Sequence, residues 1–414
     1  MSEKKSIMQW VDARLPVTSA YEKHMSKYYA PKNFNFWYIF GVLAMVVLIN
    51  QILTGVWLTM FFDPTPLGGP ESLEYIRREV PLGWLIQALH AVGASMFFIV
   101  IYMHMFRGVM YGSYQKPREL IWVFGMAIYL ILMAEGFMGY VIPWGQMSFW
   151  GAKVIVSLVG ALPLVGDDLV IWVQGDYIPS GATQSRFFSL HVIALPLVLC
   201  LLVFLHILAL HEVGSNNPDG IDIKKRLDAS GVPVDGIPFH PYYTLGKDMV
   251  GLIVFLIIFL GCVFFVPEGA GYFLEHANFE PANPLKTPEH IAPTWYFGTF
   301  YSILRAITFD IGPIPSKLGG VIAMGGAIAI LFVLPWLDRS PVRSWRYKGW
   351  ISKVAIVLFA IAFVTLMKLG TMPATKGATI LAQICTAIYF MFFLAMPWYT
   401  KFEKCKPVPD RVTK

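Results

Sequence analysis

Charged residues are scarce in this chain. Asp, Glu, Lys and Arg together make up 14% of its 414 residues, whereas hydrophobic residues make up 56%. A soluble protein of this length needs a more polar surface than such a composition provides. The shortage of charge therefore excludes an ordinary globular protein and indicates a chain that crosses a membrane several times.

Cysteine is also scarce, and its spacing excludes two kinds of site. Cys200, Cys262, Cys385 and Cys405 form no close pair, and the sequence has no C-x-x-C-H motif. The chain therefore carries neither a thiolate metal site nor a covalently attached haem, and we expect four buried structural thiols.

The N-terminal segment lacks the features of a secretory signal. Residues 1–33 are polar and amphipathic, with no continuous apolar core and no small-residue cleavage site. We expect this segment to lie on the membrane surface as an amphipathic helix on the cytoplasmic side.

Long apolar stretches are what the sequence has in place of charge. A helix needs about 20 mainly apolar residues to cross a bilayer. Eight stretches qualify: 34–62, 82–106, 120–142, 187–210, 249–266, 318–337, 350–369 and 377–398. The sequence therefore predicts an all-α integral membrane protein with eight transmembrane helices.

The basic residues follow a topological pattern. Lys and Arg concentrate in the N-terminal segment and in residues 107–119, 213–247, 339–349 and 399–414, and they are rarer in the loops between. The positive-inside rule then places both termini on the cytoplasmic side. Since topology and membrane lipid headgroups account for these charges, we expect no nucleic-acid partner.

Four histidines lie within the apolar stretches. The stretch LHAVGASMFFIVIYMHMF places His90 and His104 fourteen residues apart, and the fourth span places His191 and His206 fifteen apart. At about 100° and 1.5 Å per residue, each pair shares one helix face, with its members separated by about 21–22 Å along the axis. This spacing predicts two haems, each held between one histidine of each helix.

Glycines repeat with the same period in the two neighbouring spans. A glycine allows a helix to approach its surroundings closely. Fourteen residues separate the members of each glycine pair, which are Gly41 and Gly55 in the first span and Gly125 and Gly139 in the third. One intramembrane histidine is often a packing residue or a proton relay, but four histidines in step with four glycines favour non-covalent b-type haems.

The predicted topology distinguishes the two haems. The second and fourth spans run in the same direction, so His90 and His191 hold the outer haem, while His104 and His206 hold the inner one. The chain then divides into a surface segment (1–33), a dihaem four-helix bundle (34–212), a cytoplasmic linker (213–247) and a C-terminal four-helix domain with a long outer loop (248–414).

Several longer motifs resemble one family. They are GSYQKPREL after the second span, GYVIPWGQMSFWGA after the third, HEVGSNNPDG after the fourth, FHPYYT before the fifth and P-x-WY at 293–296. Together they resemble cytochrome b of the cytochrome bc (ubiquinol–cytochrome c reductase) complexes over essentially the whole chain. The fifteen-residue spacing in the fourth span resembles a bacterial branch of that family.

The resemblance implies a quinone-reactive electron-transfer subunit of a proton-translocating enzyme. Quinol would be oxidised at an outer site, electrons would cross the membrane through both haems, and quinone would be reduced at an inner site. The implied partners are a Rieske iron–sulfur protein, a c-type cytochrome and a second copy of the chain. The implied location is the bacterial inner membrane.

The resemblance also implies site residues. In the outer quinol pocket these are Tyr140, Met147, Gly151, Pro293, Trp295, Tyr296 and Tyr301. In the inner pocket they are His211, Ser215, Asn216, Lys247 and Asp248. His211 and Asp248 would hand protons to reduced quinone, and Arg107, one turn from His104, would pair with a haem propionate.

Three positions depart from the family pattern or test it. Thr294 stands where the family often has a glutamate, and we hypothesise that Glu289 or an ordered-water chain accepts the quinol proton in its place. Gln87 stands where the family usually has an arginine, which predicts a lower potential for the outer haem. Glu135 is a carboxylate inside the third span, where function and packing both remain open.

Two alternative functions remain. A dihaem anchor of a dehydrogenase or hydrogenase would share the histidines, but it would not explain the last four spans or the P-x-WY loop. A secondary transporter with a histidine proton relay would predict broken helices and no haem.

Overall fold

The computed structural model describes residues 6–413, and helices dominate it. Within these residues eight helices are long and apolar enough to cross a membrane. In order, we call them spans 1 to 8: Phe36–Thr59, Gly83–Tyr111, Glu119–Val141, Gly181–Val213, Phe239–Phe265, Ser316–Leu337, Trp350–Gly370 and Lys376–Leu394. The predicted eight-span helical architecture is confirmed.

Several spans extend beyond the predicted limits. Span 2 ends at Tyr111 and span 4 runs from Gly181 to Val213, so Arg107 and His211 lie inside helices. Helical hydrogen bonding continues past the apolar stretch, and apolarity alone therefore underestimates the length of a helix.

Span 4 is not a uniform α-helix. Gly181–Ser189 and Leu195–Val213 are α-helical, and between them Leu190–Ala194 forms one π-helical turn. Pro196 follows this turn and lacks the N–H group that an α-helix would bond to residue 192. A π turn accommodates one more residue than an α turn. This accounts for the spacing of fifteen residues from His191 to His206, against fourteen from His90 to His104 in span 2.

The helices pack in neighbouring pairs. Span 1 packs against span 2, and span 3 packs against span 4. In the C-terminal half, the shorter helix Gly298–Ala306 lies among spans 6, 7 and 8. A Cβ atom on Gly298 or Gly370 would collide with backbone atoms of the other segment, so glycine is needed where this helix meets span 7.

Two long loops pack together at one end of the molecule. Residues 143–186 include a helical hairpin, Gln146–Val159 and Gly166–Gln174. The loop after span 5 contains 3₁₀ turns at His276–Phe279 and Trp295–Phe297. Backbone hydrogen bonds join the two loops, from Gln146 N to Glu280 O (2.9 Å) and from Ala282 N to Trp144 O (3.0 Å). We call this the outer end.

The basic segments gather at the opposite end, which we call the inner end. Strand β1, Tyr29–Pro31, pairs antiparallel with β2, Gly236–Pro238, which adds a small sheet to the helical fold.

The remaining short elements of the described chain are the helices Ile7–Asp12, Val17–Tyr21, Gly68–Arg78 and Met396–Phe402, the π turn Glu22–Ser26 and the 3₁₀ turn Ile223–Lys225.

Two carboxylates, one partly and one fully buried, connect the parts of the inner end. Asp222 pairs with Arg118 (2.8 Å) and Arg343 (3.0 Å). Asp235 pairs with Lys32 (2.8 Å) and Arg411 (2.9 Å). Segment 213–247 thus contacts the N-terminal segment, the loops after spans 2 and 6, and the C-terminal tail. It holds these parts together as well as linking spans 4 and 5.

Two expectations need correction. The N-terminal segment forms two short helices and a π turn before β1, not one amphipathic helix, and its residues 1–5 lie outside the described residues. Cys385 is buried, but Cys200 is exposed and the other two thiols are intermediate. The expectation of four buried thiols is wrong because an outward-facing apolar helix surface has the same sequence pattern as a core-facing one.

Candidate functional site

The structure brings the four intramembrane histidines together in two pairs. The ring centres of His90 and His191 lie 6.2 Å apart, and those of His104 and His206 lie 6.4 Å apart. Each pair joins span 2 to span 4. An iron bonded to two imidazole nitrogens at about 2 Å each leaves the ring centres about 6 Å apart, so both pairs fit a bis-imidazole iron.

Each predicted glycine faces one of these histidines. A Cβ built on Gly41 would lie 3.4 Å from Cε1 of His104, and one on Gly55 would lie 3.1 Å from Cε1 of His90. In the same way Gly125 faces His206 (3.4 Å) and Gly139 faces His191 (2.5 Å). The glycines therefore make room for the imidazole rings themselves, in addition to any macrocycle between them.

The Nδ1 atoms of the outer pair face acceptor groups. The hydroxyl of Thr54 lies 2.9 Å from Nδ1 of His90. Nδ1 of His191 lies 3.0 Å from the Glu135 carboxylate and 3.1 Å from the Glu135 carbonyl oxygen. In the tautomer that is protonated at Nδ1, His90 donates to the Thr54 hydroxyl and His191 to the Glu135 carbonyl oxygen, and Nε2 of each ring is left to bind a metal.

The inner pair has different surroundings. A guanidinium nitrogen of Arg107 lies 3.4 Å from Nδ1 of His104, and the guanidinium also lies 4.8 Å from the centre of the Tyr38 ring. Among the described residues, Arg107 Nε, the Tyr38 hydroxyl and His206 Nδ1 are buried without a hydrogen-bond partner. Buried donors of this kind need partners, and the Nε–H of Arg107 fits the propionate that the sequence assigned to it.

A cavity opens between the two loops at the outer end. It has a volume of about 320 Å³, and its lining includes Met147, Tyr272, Glu275, His290, Lys368 and Thr371. Beside it, a Cβ on Gly151 would meet no described atom within 4 Å. The cavity therefore includes Met147, one of the predicted outer-pocket residues.

The residues of the P-x-WY motif have different environments. Trp295 donates its indole N–H to Ser95 (3.1 Å), and Tyr296 stacks on Phe98 with ring centres 3.9 Å apart. Burial raises the pKa of the Tyr296 phenol. Thr294 is buried as well, whereas Pro293 is only partly buried. Trp295 and Tyr296 thus hold the outer loop against span 2.

Tyr301 follows the motif and lies under a cation. The guanidinium of Arg305 is 4.8 Å from the centre of its ring, and its hydroxyl is 3.5 Å from the carbonyl oxygen of Ile291. Tyr301 therefore supports the loop that carries the motif.

Two carboxylates of the outer loop, Glu289 and Glu275, differ in their surroundings. Glu289 lies exposed on the loop, whereas Glu275 lines the cavity and accepts a 2.6 Å hydrogen bond from the Tyr140 hydroxyl. Burial raises the pKa of Glu275, and the bond from Tyr140 opposes this only in part. Sequence reasoning missed Glu275 because no motif marks it and its proximity to Tyr140 depends on how the loops fold.

The inner candidates cluster at the end of span 4. Tyr28, which the sequence did not single out, stacks on His211 with ring centres 4.5 Å apart, and its hydroxyl lies 3.0 Å from that of Ser215. The Asn216 amide is 2% exposed and donates to the Tyr111 carbonyl at 2.7 Å. His211, Ser215 and Asn216 are thus positioned by spans 2 and 4 and the N-terminal segment.

Lys247 and Asp248 lie in the first part of span 5. Lys247 ends a π turn, Tyr242–Lys247, and donates to the carbonyl oxygen of Phe34 at 2.7 Å. Asp248, partly buried, begins the α-helical part of the span. The ammonium group of Lys247 therefore ties span 5 to the start of span 1.

These features define a multi-pass helical membrane protein with two facing histidine pairs inside its first four spans. The family model described as "Cytochrome b/b6/petB" matches residues 25–214, and "Cytochrome b(C-terminal)/b6/petD" matches residues 281–390. The chain therefore belongs to the cytochrome b family, for which b-type haem is the implied cofactor and electron transfer the general role.

Individual relatives match over nearly their whole length. Cytochrome b of Allochromatium vinosum is 55% identical over 416 residues, covering 100% of this chain and 99% of that protein. Cytochrome b of Rhodospirillum rubrum is 49% identical, covering 98% and 96%. A chain of a hyperthermophilic respiratory complex III superposes with a TM-score of 0.86 at 37% identity, covering 96% of this chain and 99% of that chain.

Proposed function

We propose that this chain is the quinone-reactive dihaem subunit of a proton-translocating quinol–cytochrome c oxidoreductase. The observation that carries the proposal is the pair of imidazole couples with ring centres 6.2 and 6.4 Å apart. Each couple supplies two nitrogen donors, so a bound iron takes its other ligands from a macrocycle. Bound haem supplies a one-electron iron couple at each position.

The assignment of residues follows the two ends of the molecule. His90 and His191 would hold the haem nearer the outer end, and His104 and His206 the one nearer the inner end. The two couples are about 21 Å apart along span 2. Electrons that pass from one to the other would therefore cross most of the apolar thickness of the membrane. The basic segments gathered at the inner end support a cytoplasmic location for both termini.

At the outer end, we assign quinol oxidation to the cavity beside Tyr140. The Tyr140 hydroxyl and the Glu275 carboxyl form the polar group that would orient a quinol hydroxyl and take up its proton. Met147, Gly151 and Tyr301 would shape the pocket, with Pro293, Thr294, Trp295 and Tyr296 supporting it.

At the inner end, we assign quinone reduction to the group around His211. His211 and Asp248 would deliver protons to reduced quinone, while Ser215, Asn216 and Lys247 would position the ring or its surroundings. Tyr28 holds the His211 ring in place by stacking.

The chain would work within a larger assembly. The solved relative is a respiratory complex III, and the four separated cysteines supply no iron–sulfur ligands. We therefore assign a Rieske iron–sulfur protein and a c-type cytochrome as partners, with two copies of the chain in a bacterial inner membrane.

A redox titration tests the haem assignment. The dithionite-reduced minus oxidised spectrum of the purified complex should resolve into two b-type components of different potential. His191→Ala should remove one component and His206→Ala the other. A wild-type complex with no haem spectrum, or single variants that each retain both components, would contradict the proposal.

A further inference from the structure

The four histidines differ in the charge of the group that faces Nδ1. His191 faces a carboxylate, His90 a neutral hydroxyl and His104 a guanidinium. Nδ1 of His206 faces no charged group within hydrogen-bonding distance among residues 6–413. The outer couple therefore has a carboxylate beside it, and the inner couple has a guanidinium cation.

Placing the Glu135 carboxylate inside span 3 costs free energy. Its side chain is 16% exposed within span 3, and its second oxygen, Oε2, is buried without a partner in the described chain. An acidic side chain at such a depth needs a compensating donor or charge. The polar group nearest to it is Nδ1 of His191, which lies 3.0 Å from Oε1 and is hydrogen-bonded to the backbone carbonyl oxygen of Glu135 at 3.1 Å.

Such an arrangement has a known effect on a metal-bound imidazole. A negatively charged carboxylate beside Nδ1–H makes the ring a stronger electron donor to the metal. It therefore favours the oxidised iron and lowers its reduction potential. A cation beside the other couple favours the added electron there, through the Coulomb interaction.

We propose that Glu135 helps to set the outer haem at a lower potential than the inner one, because its carboxylate lies 3.0 Å from Nδ1 of the ligand His191. Arg107, beside His104, acts in the opposite sense on the inner haem. The electron then passes from the outer to the inner couple with a favourable free energy. This inference rests on the proposed function, because it requires the histidines to hold haem.

The decisive variant is Glu135→Gln in the intact complex. Glutamine keeps the side-chain length and an acceptor oxygen, and it removes the charge. The outer potential should rise and the inner one should stay. If the electron-exchange equilibrium between the haems shifts tenfold, the change in potential is about 59 mV for a one-electron couple.

Glu119→Gln provides a matched control. It removes the same charge from the first turn of span 3, sixteen residues and about 24 Å away along the helix, and it should leave the outer potential unchanged. The low-spin electron paramagnetic resonance signal of the outer haem should change in Glu135→Gln alone, because only this substitution changes the charge 3.0 Å from Nδ1 of the ligand His191.

The outcomes separate this inference from the proposed function. An unchanged outer potential in a Glu135→Gln complex with both haems would overturn the role of Glu135 and leave the histidine assignment intact. If the glutamine variant does not retain the outer haem, Glu135→Thr is measured by the same criterion. If His191→Ala and His206→Ala each retained both haem components, the proposed function itself would be overturned.

Discussion

The Cβ position of Gly139 lies 2.5 Å from Cε1 of His191. No side chain larger than hydrogen fits there unless the imidazole or span 3 moves. The equivalent distances are 3.1 Å for Gly55 and 3.4 Å for Gly41 and Gly125. The four glycines therefore have graded tolerance for a methyl group.

Alanine substitutions should follow this gradient. Gly139→Ala should displace His191 and remove or weaken the outer haem, since overpacking typically costs about 1–3 kcal/mol. Gly125→Ala should retain both haems, because a methyl group 3.4 Å from the imidazole makes an ordinary contact. Alanine also has a higher helix propensity than glycine, by up to about 1 kcal/mol. Haem content per protein, measured from the reduced spectrum, checks the order. Equal haem loss in both variants would count against it.

The carboxyl group of Glu275 should control the pH dependence of quinol oxidation. Because burial raises the pKa of Glu275, its carboxyl stays protonated to a higher pH than usual and accepts a proton only above that pKa. We expect the wild-type rate to increase as pH rises through this range, and Glu275→Gln to slow turnover and flatten the profile.

Glu289→Gln is the matched comparison for Glu275→Gln. Glu289 belongs to the same loop but is exposed, so its substitution should leave the pH profile nearly unchanged. A strong effect at Glu289 and none at Glu275 would return the proton-accepting role to Glu289.

Restoring a cation beside the outer couple should raise its potential. Gln87 lies one turn before His90 in span 2 and is partly buried. In Gln87→Arg the guanidinium should stabilise the reduced haem, so the outer midpoint potential should move upward. Potentiometric titration of both components provides the measurement, and the inner component serves as the internal control. No upward movement would show that the missing arginine does not set this potential.

The Asp235 cluster should fail in acid. Burial alone would raise the pKa of Asp235, but pairing with Arg411 and Lys32 lowers it to about 2, against an ordinary value of 3.8. Its ion pairs therefore stabilise the fold above pH 3.8, and this contribution is lost as the pH falls from 3.8 towards 2.

We expect the C-terminal tail to become sensitive to protease over that interval. Asp235→Asn should produce the same sensitivity at neutral pH, and limited proteolysis at several pH values would detect it. A tail that stays protected in the asparagine variant would contradict this role of Asp235.

The repeated spacings made much of this molecule predictable. Apolar runs gave the eight spans, and the fourteen-residue period gave both the histidine pairs and the glycines that face them. These features depend on helix geometry, which is local in sequence. The contacts of Glu275 with Tyr140 and of Tyr28 with His211 join segments more than a hundred residues apart, so no local pattern could reveal them.

The role of Glu135 shows the same limit. Its position inside span 3 was visible in the sequence, but its partner was not, because the rotation of span 3 against span 4 decides whether the carboxylate meets His191 or the lipid. The extent of spans 2 and 4 was also underestimated, since polar residues continue both helices.

The π turn at Leu190–Ala194 makes the register of span 4 independent of its residue count. One extra residue can be accommodated in this turn, which contains His191, while His191 and His206 keep their partners in span 2. An insertion or deletion inside a transmembrane helix usually rotates everything beyond it. Here the extra residue is absorbed within a single turn, so the fifteen-residue histidine spacing of span 4 matches the fourteen-residue spacing of span 2 in one bundle.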